Sequence, residues 1–115
     1  MIRIATAVAA TACLALAAAA QASTPTLKGE VGPGFTIEVK QGGKDVKTLK
    51  AGTYKLVVQD KGTIHDFHLI GPGVNKKTTV AAVKTYTWKL KLKKGTYKFV
   101  CDPHATIMKG TLKVT

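Results

Sequence analysis

The sequence predicts an all-β protein, folded as a two-sheet Greek-key β-sandwich of about seven to eight strands. Apolar and polar residues alternate with a period of two in several segments, as they do in half-buried antiparallel strands. Glycine and proline residues separate these segments at short intervals. No stretch after residue 22 shows the periodicity of a helix. Many short strands at this spacing are typical of a sandwich.

Residues 1–22 differ in composition from the rest and are predicted to be a secretory signal peptide. Eleven of the fifteen alanines lie there, Arg3 supplies the positive start, and residues 20–22 read Ala-Gln-Ala. The apolar run is short for a bilayer span and has no basic flank after it, which disfavours a transmembrane anchor. We expect cleavage after Ala22, which leaves residues 23–115 as one domain without a membrane segment.

The strands of that domain are predicted from the side chains that share an inward face. In chain order these sets are Phe35, Ile37 and Val39; Trp88, Leu90 and Leu92; Tyr97, Phe99 and Cys101; and Leu112 and Val114. Lysines occupy the alternate positions of the last three sets, apart from position 100, which is Val. One apolar face and one charged face fit strands with one side in the core.

An internal echo adds a fifth strand. The hexapeptide at 52–57, Gly-Thr-Tyr-Lys-Leu-Val, recurs at 95–100 as Gly-Thr-Tyr-Lys-Phe-Val. Each copy begins a strand that runs into a histidine-bearing segment. We interpret the two copies as similarly placed strands, one in each half of the sandwich; a chance match of common strand residues is the alternative.

The charge balance limits the classes of partner. The chain has 18 Lys+Arg against 6 Asp+Glu, and without Arg3 the 17 lysines leave a formal charge of +11. Base reading and bidentate phosphate binding favour arginine, so nucleic acid is not an expected partner. A lysine-rich surface is mainly solvated, but it also attracts an acidic partner or an anionic surface over a salt-dependent range.

A metal site is predicted in residues 101–108, Cys-Asp-Pro-His-Ala-Thr-Ile-Met. Once Cys13 is removed with the leader, Cys101 and Met108 are the single cysteine and methionine, and His104 lies between them. A strand that ends at Cys101, a turn that carries His104 and a strand that starts near Met108 can aim all three at one point. Two histidines, a cysteine and a weak thioether form the blue-copper electron-transfer set.

The second histidine of that set must come from residues 64–69, Ile-His-Asp-Phe-His-Leu. If this segment is a strand, His65 shares the inward face with Phe67 and Leu69, whereas His68 points to the other face. We therefore choose His65 as the ligand and expect His68 to be an ordinary surface histidine. Without the neighbouring loop, a hydrogen-bonded core imidazole would be the preferred interpretation of His65.

These residues make the chain resemble a small bacterial cupredoxin of the plastocyanin, pseudoazurin and amicyanin group, over about residues 26–115. The family's ligand loop has the form C-x-P-H followed by Met, which matches Cys101, Pro103, His104 and Met108. The resemblance implies an eight-stranded sandwich that binds one copper ion at one end. It also implies an apolar patch around the edge of His104, where redox partners dock.

Asp66 is the main departure from the family pattern. The family has Asn after the first histidine ligand, and this Asn ties the two ligand loops together by hydrogen bonds. A carboxylate cannot donate as the amide does unless it is protonated, and an ionised one would favour Cu(II). We therefore expect a lower reduction potential than that of the Asn form.

The function predicted is that of an exported type 1 copper protein, periplasmic or extracellular, which carries single electrons between redox partners. We expect a monomer that meets an acidic redox protein and is not an enzyme, since no catalytic triad, carboxylate pair or open metal triad is visible. Two alternatives stay open. One is a copper-handling protein with the same ligands, and the other is a metal-free sandwich that binds an acidic partner through its lysines.

Overall fold

The computed structural model describes residues 23–115, and the predicted signal peptide lies outside these described residues. They form ten strands and one 3-10 turn. The first sheet contains β1 (Thr26–Val31), β2 (Ile37–Gln41), β3 (Lys44–Asp45), β5 (Gly52–Asp60) and β8 (Lys84–Leu92). The second contains β4 (Thr48–Leu49), β6 (His68–Gly71), β7 (Val74–Lys77), β9 (Gly95–Val100) and β10 (Lys109–Val114). The 3-10 turn spans Asp102–His104.

The two sheets have the orders β3-β2-β1-β5-β8 and β4-β10-β9-β6-β7. Strands that are distant in sequence are neighbours in both, as Greek-key connections require, and β1 runs parallel to β5. The predicted two-sheet sandwich is confirmed. It has ten strands rather than seven or eight because β3 and β4 are two-residue ladders, too short for a period-two pattern to show.

The core lies between the sheets and is built from the alternate residues of the long strands. Tyr97 and Phe99 of β9 are buried while Lys98 is exposed, and Leu90 and Leu92 of β8 are buried between exposed lysines. Phe35 departs from the prediction, because it precedes β2 in the connecting loop and is 58% exposed.

The hexapeptide echo has a structural counterpart. Its two copies begin β5 in the first sheet and β9 in the second. The Tyr54 hydroxyl donates to the Lys50 carbonyl oxygen at 2.6 Å. The Tyr97 hydroxyl lies 2.9 Å from the Lys93 carbonyl oxygen, again four residues upstream. Each tyrosine therefore fixes the turn that precedes its strand.

Candidate metal centre

Three loops meet at one end of the sandwich. They connect β1 to β2, β5 to β6, and β9 to β10, and they follow strands that all end on the same side. Because His65 lies in the second loop and residues 101–108 form the third, the fold brings both predicted segments together.

The loop from Cys101 to Met108 is closed by its own backbone. The Cys101 N–H donates to the Met108 carbonyl oxygen at 2.9 Å, and the His104 N–H donates to the Cys101 carbonyl oxygen at 3.0 Å. Pro103 lies in the 3-10 turn, where its fixed φ suits the geometry. This tight turn folds the His104 side chain back towards the cysteine sulfur.

The result is a triangle of ligand-type atoms from His65, Cys101 and His104. The two Nδ1 atoms are 3.2 Å apart, and the Cys101 Sγ lies 3.7 Å from Nδ1 of His65 and 3.5 Å from Nδ1 of His104. With metal–nitrogen bonds of about 2.0 Å and metal–sulfur bonds of about 2.3 Å, a flat trigonal site has edges of roughly 3.5–3.8 Å. The triangle is close to that size, so the group could hold a metal ion.

Two glycines shape the position of the His65 ring. A Cβ atom on Gly62 would lie 2.6 Å from His65 Cδ2, and one on Gly32 would lie 2.9 Å from the same atom. The ring is fully buried, and within residues 23–115 its Nε2 has no hydrogen-bond partner. Packing, rather than a hydrogen bond at Nε2, therefore holds this imidazole.

Burial differs among the predicted ligands. Cys101 and Met108 are buried, while His104 is half-buried and is the ligand candidate that reaches the surface. Burial raises the pKa of the Cys101 thiol. A soft metal that binds the thiolate would therefore displace a proton.

The Phe35 ring covers the imidazoles of His65 and His104, and the sequence did not predict this contact. Its ring meets the His65 ring edge-to-face at 5.5 Å between centroids and the His104 ring at 5.0 Å. The prediction had placed this side chain in the core of a strand. No local pattern marks it as a neighbour of histidines 30 and more residues away in the sequence.

Asp66 ties the two ligand-bearing loops together despite its departure from the family pattern. Its Oδ1 accepts a hydrogen bond from the backbone N–H of Asp102 at 2.6 Å. Burial, aided by contact with the Asp102 carboxylate, raises the pKa of Asp66 to about 6. An acceptor oxygen, which Asp and Asn both have, is thus sufficient for this tie.

His68 is not in the triangle, in agreement with the choice of His65, but it is not an ordinary surface histidine. Its Nδ1 lies 2.9 Å from an Asp102 carboxylate oxygen, and its Nε2 lies 2.6 Å from Asn75 Oδ1. The expectation failed because residues 64–67 are loop and β6 begins only at His68. These contacts raise the pKa of His68, against the opposing effect of burial.

A buried network at the base of the β5–β6 loop was also missed. Asp60 accepts from the Gly62 N–H at 3.2 Å and from the Thr78 hydroxyl at 3.0 Å, and the same hydroxyl accepts from the Phe67 N–H at 2.9 Å. The network fixes both ends of the segment that carries His65. Nothing in the local sequence distinguishes Asp60 from any aspartate at the end of a strand.

The fold and the site define a class: a small two-sheet β-sandwich with a His–Cys–His group at one end. A family model described as a cupredoxin-like domain matches residues 4–114. The chain belongs to this family, as its ligand loop predicted.

Solved structures support the fold. A structure of the copper protein rusticyanin aligns with a TM-score of 0.60 and 22% identity, over 83% of this chain and 80% of that chain. A methionine-to-glutamine mutant of rusticyanin aligns with a TM-score of 0.59 and 24% identity, over 83% of this chain and 80% of that chain. Rusticyanin from Thiobacillus ferrooxidans aligns with a TM-score of 0.56 and 24% identity, over 83% of this chain and 79% of that chain. No curated protein matches the chain. Across residues 23–115, no helix is long and apolar enough to cross a membrane.

Proposed function

We propose that this cupredoxin is an exported type 1 copper protein that carries single electrons and is not an enzyme. His65, Cys101 and His104 are the proposed equatorial ligands, and Met108 is the proposed weak axial ligand. The observation that carries the proposal is the triangle of two Nδ1 atoms and one Sγ, with edges of 3.2–3.7 Å. Copper bound there would supply a one-electron couple.

The chain's own residues account for the rigidity that such a couple needs. Three features hold the proposed ligands in place. Two glycines pack against the His65 ring, and a backbone hydrogen bond closes the loop between Cys101 and Met108. Asp66 accepts a hydrogen bond from the Asp102 N–H and so ties the two loops together. A cage that suits both oxidation states without moving lowers the rearrangement that accompanies electron transfer. Among the four proposed ligands, His104 is the one that is only half-buried, so its ring offers a route from the site to the surface.

The same burial favours electron carriage over copper delivery. Cys101 and His65 are fully buried, so a second protein could not reach them to take the metal without opening the loops. A copper-handling protein needs exposed ligands for exchange. The electron self-exchange rate of the copper-loaded protein separates the two functions, because a delivery protein is expected to exchange electrons slowly.

We propose a redox partner that is acidic, and export to the periplasm or beyond. The formal charge of +11 without Arg3 supports an acidic partner, and the composition of residues 1–22 supports export. Long-range attraction of this kind speeds association and weakens as salt rises.

Copper addition with an optical spectrum tests the proposed function. The oxidised protein is expected to bind one copper ion per chain and to show an intense visible charge-transfer band from the thiolate. Cys101→Ser is expected to remove the band, because oxygen is a harder and less covalent ligand than sulfur. Unchanged colour in Cys101→Ser, or no uptake of copper by the wild type, would refute the proposal and favour the metal-free alternative.

A further inference from the structure

The charge of the molecule is unevenly distributed between its two ends. The end opposite the candidate metal centre carries five exposed lysines on its turns and strand ends, and no Asp or Glu side chain lies among them. These lysines, called here the lysine pole, are Lys50, Lys91, Lys93, Lys94 and Lys113. In the described residues none of them forms an ion pair.

The acidic residues lie mostly in the other half. Asp60, Asp66 and Asp102 belong to the end that holds the candidate metal centre, and Glu30 and Glu38 face each other near the same end of β1 and β2. Five of the six acids of the chain therefore offset the lysines of that half. The sixth acid, Asp45, lies in the edge strand β3 of the first sheet. The lysine pole therefore carries five lysines and no acid, whereas the six acids offset half of the other twelve lysines. The nine residues of β5 separate the lysine pole from the metal centre by roughly 30 Å.

The lysine pole is held in place rather than loosely tethered. The Tyr54 hydroxyl fixes the Lys50 carbonyl, and the Tyr97 hydroxyl accepts from the Lys93 N–H at 2.8 Å and lies 3.1 Å from the Pro72 carbonyl oxygen. Both copies of the hexapeptide echo thus serve the same purpose. They present lysine-bearing turns from the two sheets at one end.

The apolar residues indicate which kind of anion this end fits. The large hydrophobic side chains exposed in residues 23–115 lie at the metal-centre end or, for Ile70, on the flank of β6: Phe35, Ile64, Ile70, Val80, Val83 and Ile107. The lysine pole contains none of these residues. Specific protein interfaces usually need apolar or aromatic anchors at their centre. A surface of lysines alone instead suits a broad, negatively charged surface, where each lysine contributes without a defined pocket.

We propose that the lysine pole holds the protein on a bilayer that contains anionic phospholipids, with the metal-centre end turned towards solution. This goes beyond electron carriage and does not depend on copper. The contact is electrostatic and peripheral, since no exposed apolar side chain of the described residues is there to insert. It leaves the His104 end free for a redox partner.

Vesicle binding tests the proposal with two charge-matched variants. The purified protein is sedimented with vesicles of phosphatidylcholine, with and without phosphatidylglycerol, over a range of salt. One triple variant, K50Q/K93Q/K94Q, removes three charges from the lysine pole. The other, K76Q/K77Q/K109Q, removes three from exposed lysines nearer the metal centre. All three proteins keep residues 1–22 in the same state, so any contribution of that segment is common to them.

We expect the wild type to bind only the vesicles that contain phosphatidylglycerol and to be released by salt. The pole variant should bind about 100-fold more weakly, because each lysine near an anionic surface contributes about a fivefold factor. The other variant should stay within about twofold of wild type, since its lysines lie beyond a Debye length from the surface. Equal thermal midpoints of the three proteins would show that folding is not the cause.

Several outcomes would overturn the proposal. Equal weakening by the two triple variants would show that only net charge matters. Lost binding in Phe35→Ser, with the pole variant unaffected, would place the bilayer at the metal-centre end. No binding to anionic vesicles at low salt, together with binding to an acidic soluble protein, would assign the lysine pole to a protein partner instead.

Discussion

The contact between Gly62 and His65 offers a sharp test of how the fold positions a proposed ligand. A Cβ atom at residue 62 would lie 2.6 Å from His65 Cδ2, 3.5 Å from Cγ and 3.6 Å from Nε2. Ordinary contacts between carbon atoms are about 3.5–4.0 Å, so Gly62→Ala requires the ring to retreat by roughly 1 Å. The ring is fully buried, and Gly32 and the Phe35 ring already pack against it.

That displacement has two consequences of estimable size. Overpacking a well-filled site costs about 1–3 kcal/mol of unfolding free energy. The same movement carries Nδ1 out of the triangle, whose edges from His65 are 3.2 and 3.7 Å. Mutation of a residue that orients a metal ligand typically lowers the affinity for the metal by about 10–100-fold. We therefore expect Gly62→Ala to weaken copper binding by that factor and to broaden or shift the visible band.

Gly34→Ala is the matched control. Gly34 lies in the loop that also holds Gly32 and Phe35, and a Cβ atom there would meet nothing within 4 Å. Copper affinity is measured by competition with a chelator, and stability by urea unfolding of the copper-free protein. If Gly62→Ala matches Gly34→Ala in both measurements, then Gly62 does not fix the His65 ring and the steric reasoning fails.

Four further predictions concern the residues around the triangle and the charge of the chain. Met108→Leu should keep the visible band and raise the reduction potential in a redox titration; a bleached protein would make Met108 more than a weak ligand. His68→Ala should leave colour and copper content unchanged while it lowers stability by about 1 kcal/mol, through loss of its contact with Asp102; bleaching would contradict the choice of His65. In the copper-free protein, the pKa of Asp66 is about 6 in the folded state, so Asp66 binds its proton more tightly there than in the unfolded chain. As the pH rises from about 4 to about 6, the unfolding free energy should therefore fall by up to about 3 kcal/mol. Asp66→Asn should remove most of that slope, leaving the part due to Asp60, whose pKa burial also raises, and should raise the potential of the copper form; an unchanged slope and potential would refute both expectations. Association with an acidic redox protein should slow as salt rises, measured by stopped flow, and a flat rate would remove charge steering from the proposal.

The sequence was informative wherever a pattern was local. Alternation along β8, β9 and β10 predicted which side chains enter the core, because a strand places every second residue on one face. The spacing of Cys101, His104 and Met108 predicted the closed loop, since a strand, a tight turn and a second strand leave little freedom over eight residues. Strands of two residues give no such signal, which explains why β3 and β4 were not predicted.

Contacts between distant segments could not be predicted in this way. Phe35 meets His104, and Thr78 fixes the loop that carries His65, only because the sheets bring their strand ends together. His68 was misjudged for the related reason that the strand was extended too far upstream. His65 lies inside because the β5–β6 loop is buried, and not because of strand phase. Its role as a ligand stays a prediction.

Different interactions stabilise the two ends of the sandwich, so the effects of substitutions at the two ends can be measured separately. Loop hydrogen bonds and glycine packing organise the metal-centre end, whereas the two tyrosine hydroxyls organise the lysine pole. Substitutions that are more than about 10 Å apart and share no partners usually have additive effects. A protein that combines Cys101→Ser with the intact lysine pole should therefore still bind anionic vesicles, and the pole variant should still take up copper. Strong coupling between the two would mean that the core transmits strain along β5 and β9, and that neither end can be interpreted alone.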